Sequence, residues 1–206
     1  MFNGIIDSIG VIKNIEKTAS LMRLVVRGPV HYENLTIGES VALNGVCLTI
    51  EDQANSLFEV AIVPETLQLT NLSELQIDQF VNLERSLSVA SRISGHMVQG
   101  HVDDVGEIVA IHLEGESALR VKIQPPAALM PLIVNKGFIA IDGMSITIAK
   151  RDATDFEVTF IPHTQKSTII PHYAIGTKVN LEVDILGKYV LNQLELMQHA
   201  ISDRTR

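Results

Sequence analysis

The chain is 206 residues long, 46% hydrophobic and 19% charged, with a formal net charge of −8 and one cysteine. That length and apolar content supply one large or two small cores, while the negative balance argues against nucleic acid or an acidic membrane as partner, since each wants a basic face. A lone cysteine excludes an internal disulfide. With no basic stretch ahead of an apolar start that Asp7 interrupts, it points to a reducing cytoplasm. No apolar run approaches a membrane span.

Along the chain the first half reads as short strands. Residues 4–15 alternate around Gly10, which the pattern predicts as a bulge or bend, and residues 21–26 follow a polar turn. Residues 41–43 and 46–50 flank Asn44-Gly45, a strong two-residue hairpin signal. Residues 57–63 set Phe58, Val60 and Ile62 against Glu59, Ala61 and Val63, and residues 79–84 close the unit. Between them, Pro64 opens a helical turn. Short antiparallel strands at this spacing predict a small barrel.

The whole pattern then returns. VALNGVCLTI at residues 41–50 is echoed by IAIDGMSITI at residues 139–148, aligning Asn44 with Asp142 and Cys47 with Ser145 at an offset of 142 − 44 = 98. The register holds from Phe58/Phe156 to Glu84/Glu182, whereas Gly4, Asp7 and Gly10 match Gly100, Asp103 and Gly106 at 96. A repeat that keeps its register means two copies of one unit. The reading is therefore all-β: residues 1–97 as an N-terminal barrel with its linker, residues 98–186 as a C-terminal barrel, and residues 187–206 as a helix and tail. In that helix Val190, Leu194, Met197 and Ile201 share one face, which packs either on its own barrel or on another subunit.

Chemistry is sought where equivalent positions differ. Cys47 opposite Ser145 places a thiol and a hydroxyl just past a tight turn. A lone cysteine is more often a small buried hydrophobe, but a matched serine weakens that reading. Gly100-His101-Val102 stands opposite Gly4-Ile5-Ile6, so one copy carries an imidazole where the other is aliphatic. Glu65 opposite His163 is a third such pair, either pocket groups or solvated residues of a first helical turn. His96 and His101 invite a metal site, yet five-residue spacing on a strand points them to opposite faces, and no second ligand cluster exists in the sequence.

Taken together, MFNGI at the start, NGVCLT at residues 44–49, GHMVQGHVD at residues 95–103 and KGFIAIDGMSIT at residues 136–147 resemble the riboflavin synthase family, alpha-chain type, over essentially the whole chain. The resemblance implies two six-stranded Greek-key barrels and a C-terminal helix that assembles a homotrimer. It implies dismutation of two 6,7-dimethyl-8-ribityllumazine molecules by transfer of a four-carbon unit, giving riboflavin and 5-amino-6-ribitylaminouracil. It implies no organic cofactor and no metal, and it suggests association with lumazine synthase.

By the same resemblance, one pocket is expected from Gly4, Ile5 and Ile6, from Cys47, Leu48 and Thr49, and from Ala61, Ile62, Val63, Pro64, Glu65 and Thr66. The other is expected from Gly100, His101 and Val102, from Ser145, Ile146 and Thr147, and from Thr159, Phe160, Ile161, Pro162, His163 and Thr164, with Lys136 nearby. His101 is the candidate for proton transfer, and Cys47 or Ser145 for assisting an addition. Two rivals are a non-catalytic lumazine- or flavin-binding antenna or carrier protein on the same double barrel, and a flavin-dependent reductase. The reductase would need a glycine fingerprint opening a helix, which the sequence lacks.

Overall fold

The computed structural model describes residues 1–18 and 20–204, the side chains of residues 199 and 201–204 excepted. In the first half, β1 (Ser8–Lys17), β2 (Met22–Arg27), β3 (Ser40–Leu43), β4 (Val46–Ala54), β5 (Leu57–Ile62) and β6 (Phe80–Arg85) close into a barrel ordered β1-β2-β5-β4-β3-β6. In the second, β7 (Asp104–Glu114), β8 (Ala118–Gln124), β9 (Phe138–Ile141), β10 (Met144–Arg151), β11 (Phe156–Phe160) and β12 (Lys178–Val183) close in the equivalent order. All pairings are antiparallel, and the return of β6 beside β3 after the run β3-β4-β5 makes each barrel a Greek key.

Strict alternation builds the cores. Phe58, Val60 and Ile62 are buried in the first barrel, as Phe156, Val158 and Phe160 are in the second. The hairpin residues Asn44 (φ 45°) and Gly45 (φ 78°) both adopt the left-handed conformation that a tight two-residue turn demands, and Asp142 (φ 43°) and Gly143 (φ 83°) repeat it. Two short helices, α1 (Pro64–Leu69) and α2 (Pro162–Ser167), cap the barrels, and a third, α3 (Ile185–Arg204), ends the described chain.

The halves meet about a pseudo-twofold axis visible residue by residue. Asn82 Nδ2 donates to the Asp142 carbonyl (2.9 Å), and Asn180 Nδ2 donates to the Asn44 carbonyl (2.8 Å). Phe2 and Val98, one from each half, pair backbone to backbone.

Three expectations need correction. Gly10 is not a bulge: it pairs regularly with Val81, and the register slips at Lys13 instead, between Ile12 and Asn14. Its glycine is required for space, since a Cβ there would lie 2.6 Å from Leu83 Cδ1. The first strand begins at Ser8 rather than at residue 4, because residues 4–6 leave their own barrel. Finally, α3 starts at Ile185; Val190, Leu194 and Met197 are 60%, 51% and 60% exposed, and Val190 and Leu194 border an open apolar groove with Leu132 and Phe138, so this face is only partly covered by its own barrel. The side chain of Ile201 lies outside the described residues.

Candidate active site

Each cleft is built by exchange between the two halves. Past the hairpin turn of each barrel, β4 and β10 carry Cys47 and Ser145, whose backbone N–H groups need acceptors. Those acceptors come from the opposite half: Cys47 N–H donates to the Gly100 carbonyl (2.9 Å), and Ser145 N–H donates to the Gly4 carbonyl (2.7 Å). The crossing segments lie so close that a Cβ on Gly4 would sit 2.5 Å from Ser145 Cβ, and one on Gly100 2.6 Å from Cys47 Cβ. Both glycines also hold positive φ, +71° and +79°.

The pocket memberships expected from the sequence are therefore corrected by exchange. Gly4, Ile5 and Ile6 line a cleft of about 120 Å³ with Ser145, Ile146, His163 and Thr164. Gly100, His101 and Val102 line a cleft of about 260 Å³ with Cys47, Glu65 and Thr66. Thus Glu65 and His163, although exposed, each face a cleft.

Other expected residues lie elsewhere within this chain. Leu48, Ile62 and Phe160 are core, and Thr49 and Thr147 point outward from their strands. Thr159 Oγ1 is engaged by Glu114 Oε2 (2.8 Å). Ala61, Val63, Pro64, Ile161 and Pro162 surround the entries to α1 and α2 without lining either cleft. Lys136 occupies a turn with φ 65° and lines neither.

Cys47 meets both of its readings. It packs against the small cluster of Phe2, Ala42, Val98 and Ala140, yet it is half-buried and opens into the cleft that holds His101.

His96, weighed from the sequence only as a metal ligand, takes a different place in the structure. Its Nδ1 lies 2.6 Å from Ser145 Oγ, its ring is 7% exposed, and it stacks at 11° and 5.3 Å on Phe138. Burial lowers its pKa, with Asp184 opposing, so the imidazole is held neutral and able to accept a proton. Its Nε2 is buried without a partner. His96 lies in the segment that joins β6 to β7, outside the strands of both barrels. No group of three or more His, Cys, Asp or Glu side chains among the described residues is placed to hold a metal ion.

This arrangement defines a duplicated barrel protein with two clefts at matched places, one lined by Ser145, which meets His96, and the other by Cys47 and His101. The chain belongs to the lumazine binding domain family, whose model matches residues 3–86 and again residues 99–184. It is 42% identical over 194 residues to riboflavin synthase of Mycobacterium tuberculosis, covering 92% of this chain and 96% of that one. It is 39% identical over 197 residues to riboflavin synthase of Schizosaccharomyces pombe, covering 95% and 94%. Among solved structures, LumP complexed with riboflavin superposes with a TM-score of 0.83 at 25% identity, covering 89% of this chain and 99% of LumP. The family resemblance carried by the sequence motifs is thereby borne out.

Proposed function

We propose that the chain is a riboflavin synthase that converts two molecules of 6,7-dimethyl-8-ribityllumazine into riboflavin and 5-amino-6-ribitylaminouracil. Donor and acceptor in this dismutation are the same compound, so two related clefts suit it. The observation that carries the reading is the chemistry at the two clefts: Ser145, hydrogen-bonded to the buried His96, lines one, and Cys47 and His101 line the other.

The reaction needs a proton taken from the acidic C7 methyl of one lumazine and an oxygen or sulfur nucleophile supported at C7 of the other. Ser145 Oγ is poised for the addition because neutral His96 accepts its proton as the C–O bond forms. His101 serves proton transfer at the second ring, with Cys47 beside it. Much of the acceleration comes from holding two flat rings face to face.

Neither cleft alone reaches the roughly 300 Å³ of a typical small-ligand site. That fits what the family resemblance implies: a complete site that joins the Cys47 cleft of one subunit to the Ser145 cleft of its neighbour, in a homotrimer assembled through the exposed face of α3. A cytoplasmic location and association with lumazine synthase belong to the same reading.

The test is incubation of purified protein with 6,7-dimethyl-8-ribityllumazine alone, at substoichiometric protein, following riboflavin fluorescence. Repeated turnovers without an added cofactor establish the synthase. Tight binding of one lumazine per chain with no riboflavin formed would instead make it an antenna or carrier protein.

A further inference from the structure

Two buried carboxylates have no part in the chemistry above. Glu84 on β6 and Glu182 on β12 occupy equivalent positions, 182 − 84 = 98, and are 4% and 2% exposed. Among the described residues neither forms an ion pair within 4 Å. Glu84 accepts from the backbone N–H groups of Asn3 (2.6 Å) and Gly4 (3.1 Å). Glu182 accepts from those of Gln99 (2.7 Å) and Gly100 (2.9 Å).

In both cases the held peptide is the left-handed glycine turn immediately before a cleft wall: Ile5 and Ile6 follow one, His101 and Val102 the other. A segment crossing from one half to the other has few partners of its own there. Its glycine carbonyl meets Ser145 or Cys47, and its N–H groups meet the carboxylate. Burying an uncompensated carboxylate is costly, so a fold spends it where a backbone must be fixed.

We infer that Glu84 and Glu182 are positioning residues, each fixing the exchanged segment that forms one wall of one cleft, Glu84 for the Ser145 cleft and Glu182 for the Cys47 cleft. The inference rests on the functional reading above and deepens it by assigning one anchor per cleft. Charged groups facing the anchors are few. Asp7 faces Glu84; Asp103 and Lys188 face Glu182, and those two pair with each other (2.6 Å). Burial raises the pKa of both glutamates, that of Glu84 to about 7, so the Glu84 anchor weakens its grip as pH falls through neutrality.

The test compares wild type, Glu84→Gln and Glu182→Gln by titration with 6,7-dimethyl-8-ribityllumazine, resolving two classes of site, together with thermal melting. The amide keeps the shape but turns one acceptor oxygen into a donor aimed at an N–H. Each variant is expected to weaken one class of site, on the order of tenfold, leaving the other within twofold, with the two variants affecting different classes. In wild type the affinity of the class that Glu84→Gln affects should fall on acidification through pH 7, and that variant should lack the transition.

Equal loss at both classes, or loss at neither, overturns the inference. Should Glu84→Gln fail to fold, the amide protons of Asn3 and Gly4 in wild type provide the second measurement. They should titrate together with the affinity of one class, and affinity constant across their transition overturns the inference. A wild type that binds no lumazine refutes the functional reading itself and this inference with it.

Discussion

His96 Nδ1 stands 2.6 Å from Ser145 Oγ, and nothing equivalent accompanies Cys47. Duplication has thus left two clefts at equivalent places with two different proton arrangements. If His96 acts through Ser145, then His96→Ala and Ser145→Ala should each lower kcat by about 10²-fold, and the double variant should be no worse than either. Steady-state rates for the three proteins check this. Losses that multiply would mean that the two residues act separately.

The same pair sets an acid limit. Because burial lowers the pKa of His96, the imidazole stays neutral below the ordinary histidine range and protonates only in more acidic solution. At saturating lumazine kcat should therefore hold as pH falls through the ordinary histidine range and decline only in more acidic solution, and Ser145→Ala should remove that limb from the kcat profile.

Asp142 governs a stability effect. Its carboxylate is buried without a cation and accepts from Tyr173 Oη (2.7 Å), Asn180 N–H (2.8 Å) and Asn71 Nδ2 (3.2 Å); burial raises its pKa to about 6. A raised carboxyl pKa favours the folded state fully below the unfolded value near 4, and that contribution is lost as pH rises through 6. Asp142→Asn, which puts at this position the residue already found at Asn44, should stabilise the protein at pH 8 by about 1–3 kcal/mol and change it little at pH 4. Melting curves at the two pH values decide it.

Gly100→Ala tests the close crossing. A methyl group 2.6 Å from Cys47 Cβ, on a backbone at φ +79°, must push the segment away. The strain alone costs about 1–3 kcal/mol, and lumazine affinity should fall at the Cys47 cleft more than at the Ser145 cleft. Calorimetry with a two-site titration measures both.

Much of this was legible in the sequence, and what was not has physical causes. The repeat register located both barrels, because strand pairing tolerates no slip where one face is buried. It could not show the exchange of residues 4–6 and 100–102: an internal repeat reports which residues are equivalent, and a symmetric swap leaves every equivalence unchanged. Gly10 was misread because a strand glycine marks either a bulge or a close approach, and only the packed position of Leu83 distinguishes them. His96 escaped for a different reason. It lies within the GHMVQGH motif but outside the matched strands, so comparing the copies could not assign it a role, and its spacing from His101 raised only the question of a metal. The helix face was visible as periodicity, but periodicity does not say what covers it.

Leu194 and Val190 address that cover. On the trimer proposed above, replacing both with Glu should give monomers in sedimentation and abolish turnover, while each chain stays folded, since both residues are exposed in the single chain.

The most direct test of the account is complementation. Ser145→Ala and Cys47→Ala are purified as separate inactive proteins, then dissociated and reassembled together in equal amounts. With the proposed site, which takes one cleft from each of two subunits, random mixing regenerates intact sites at about a quarter of the interfaces, and riboflavin synthesis should return to about a quarter of the wild-type rate. A mixture no more active than its separate components would contradict a site built from two clefts on different subunits.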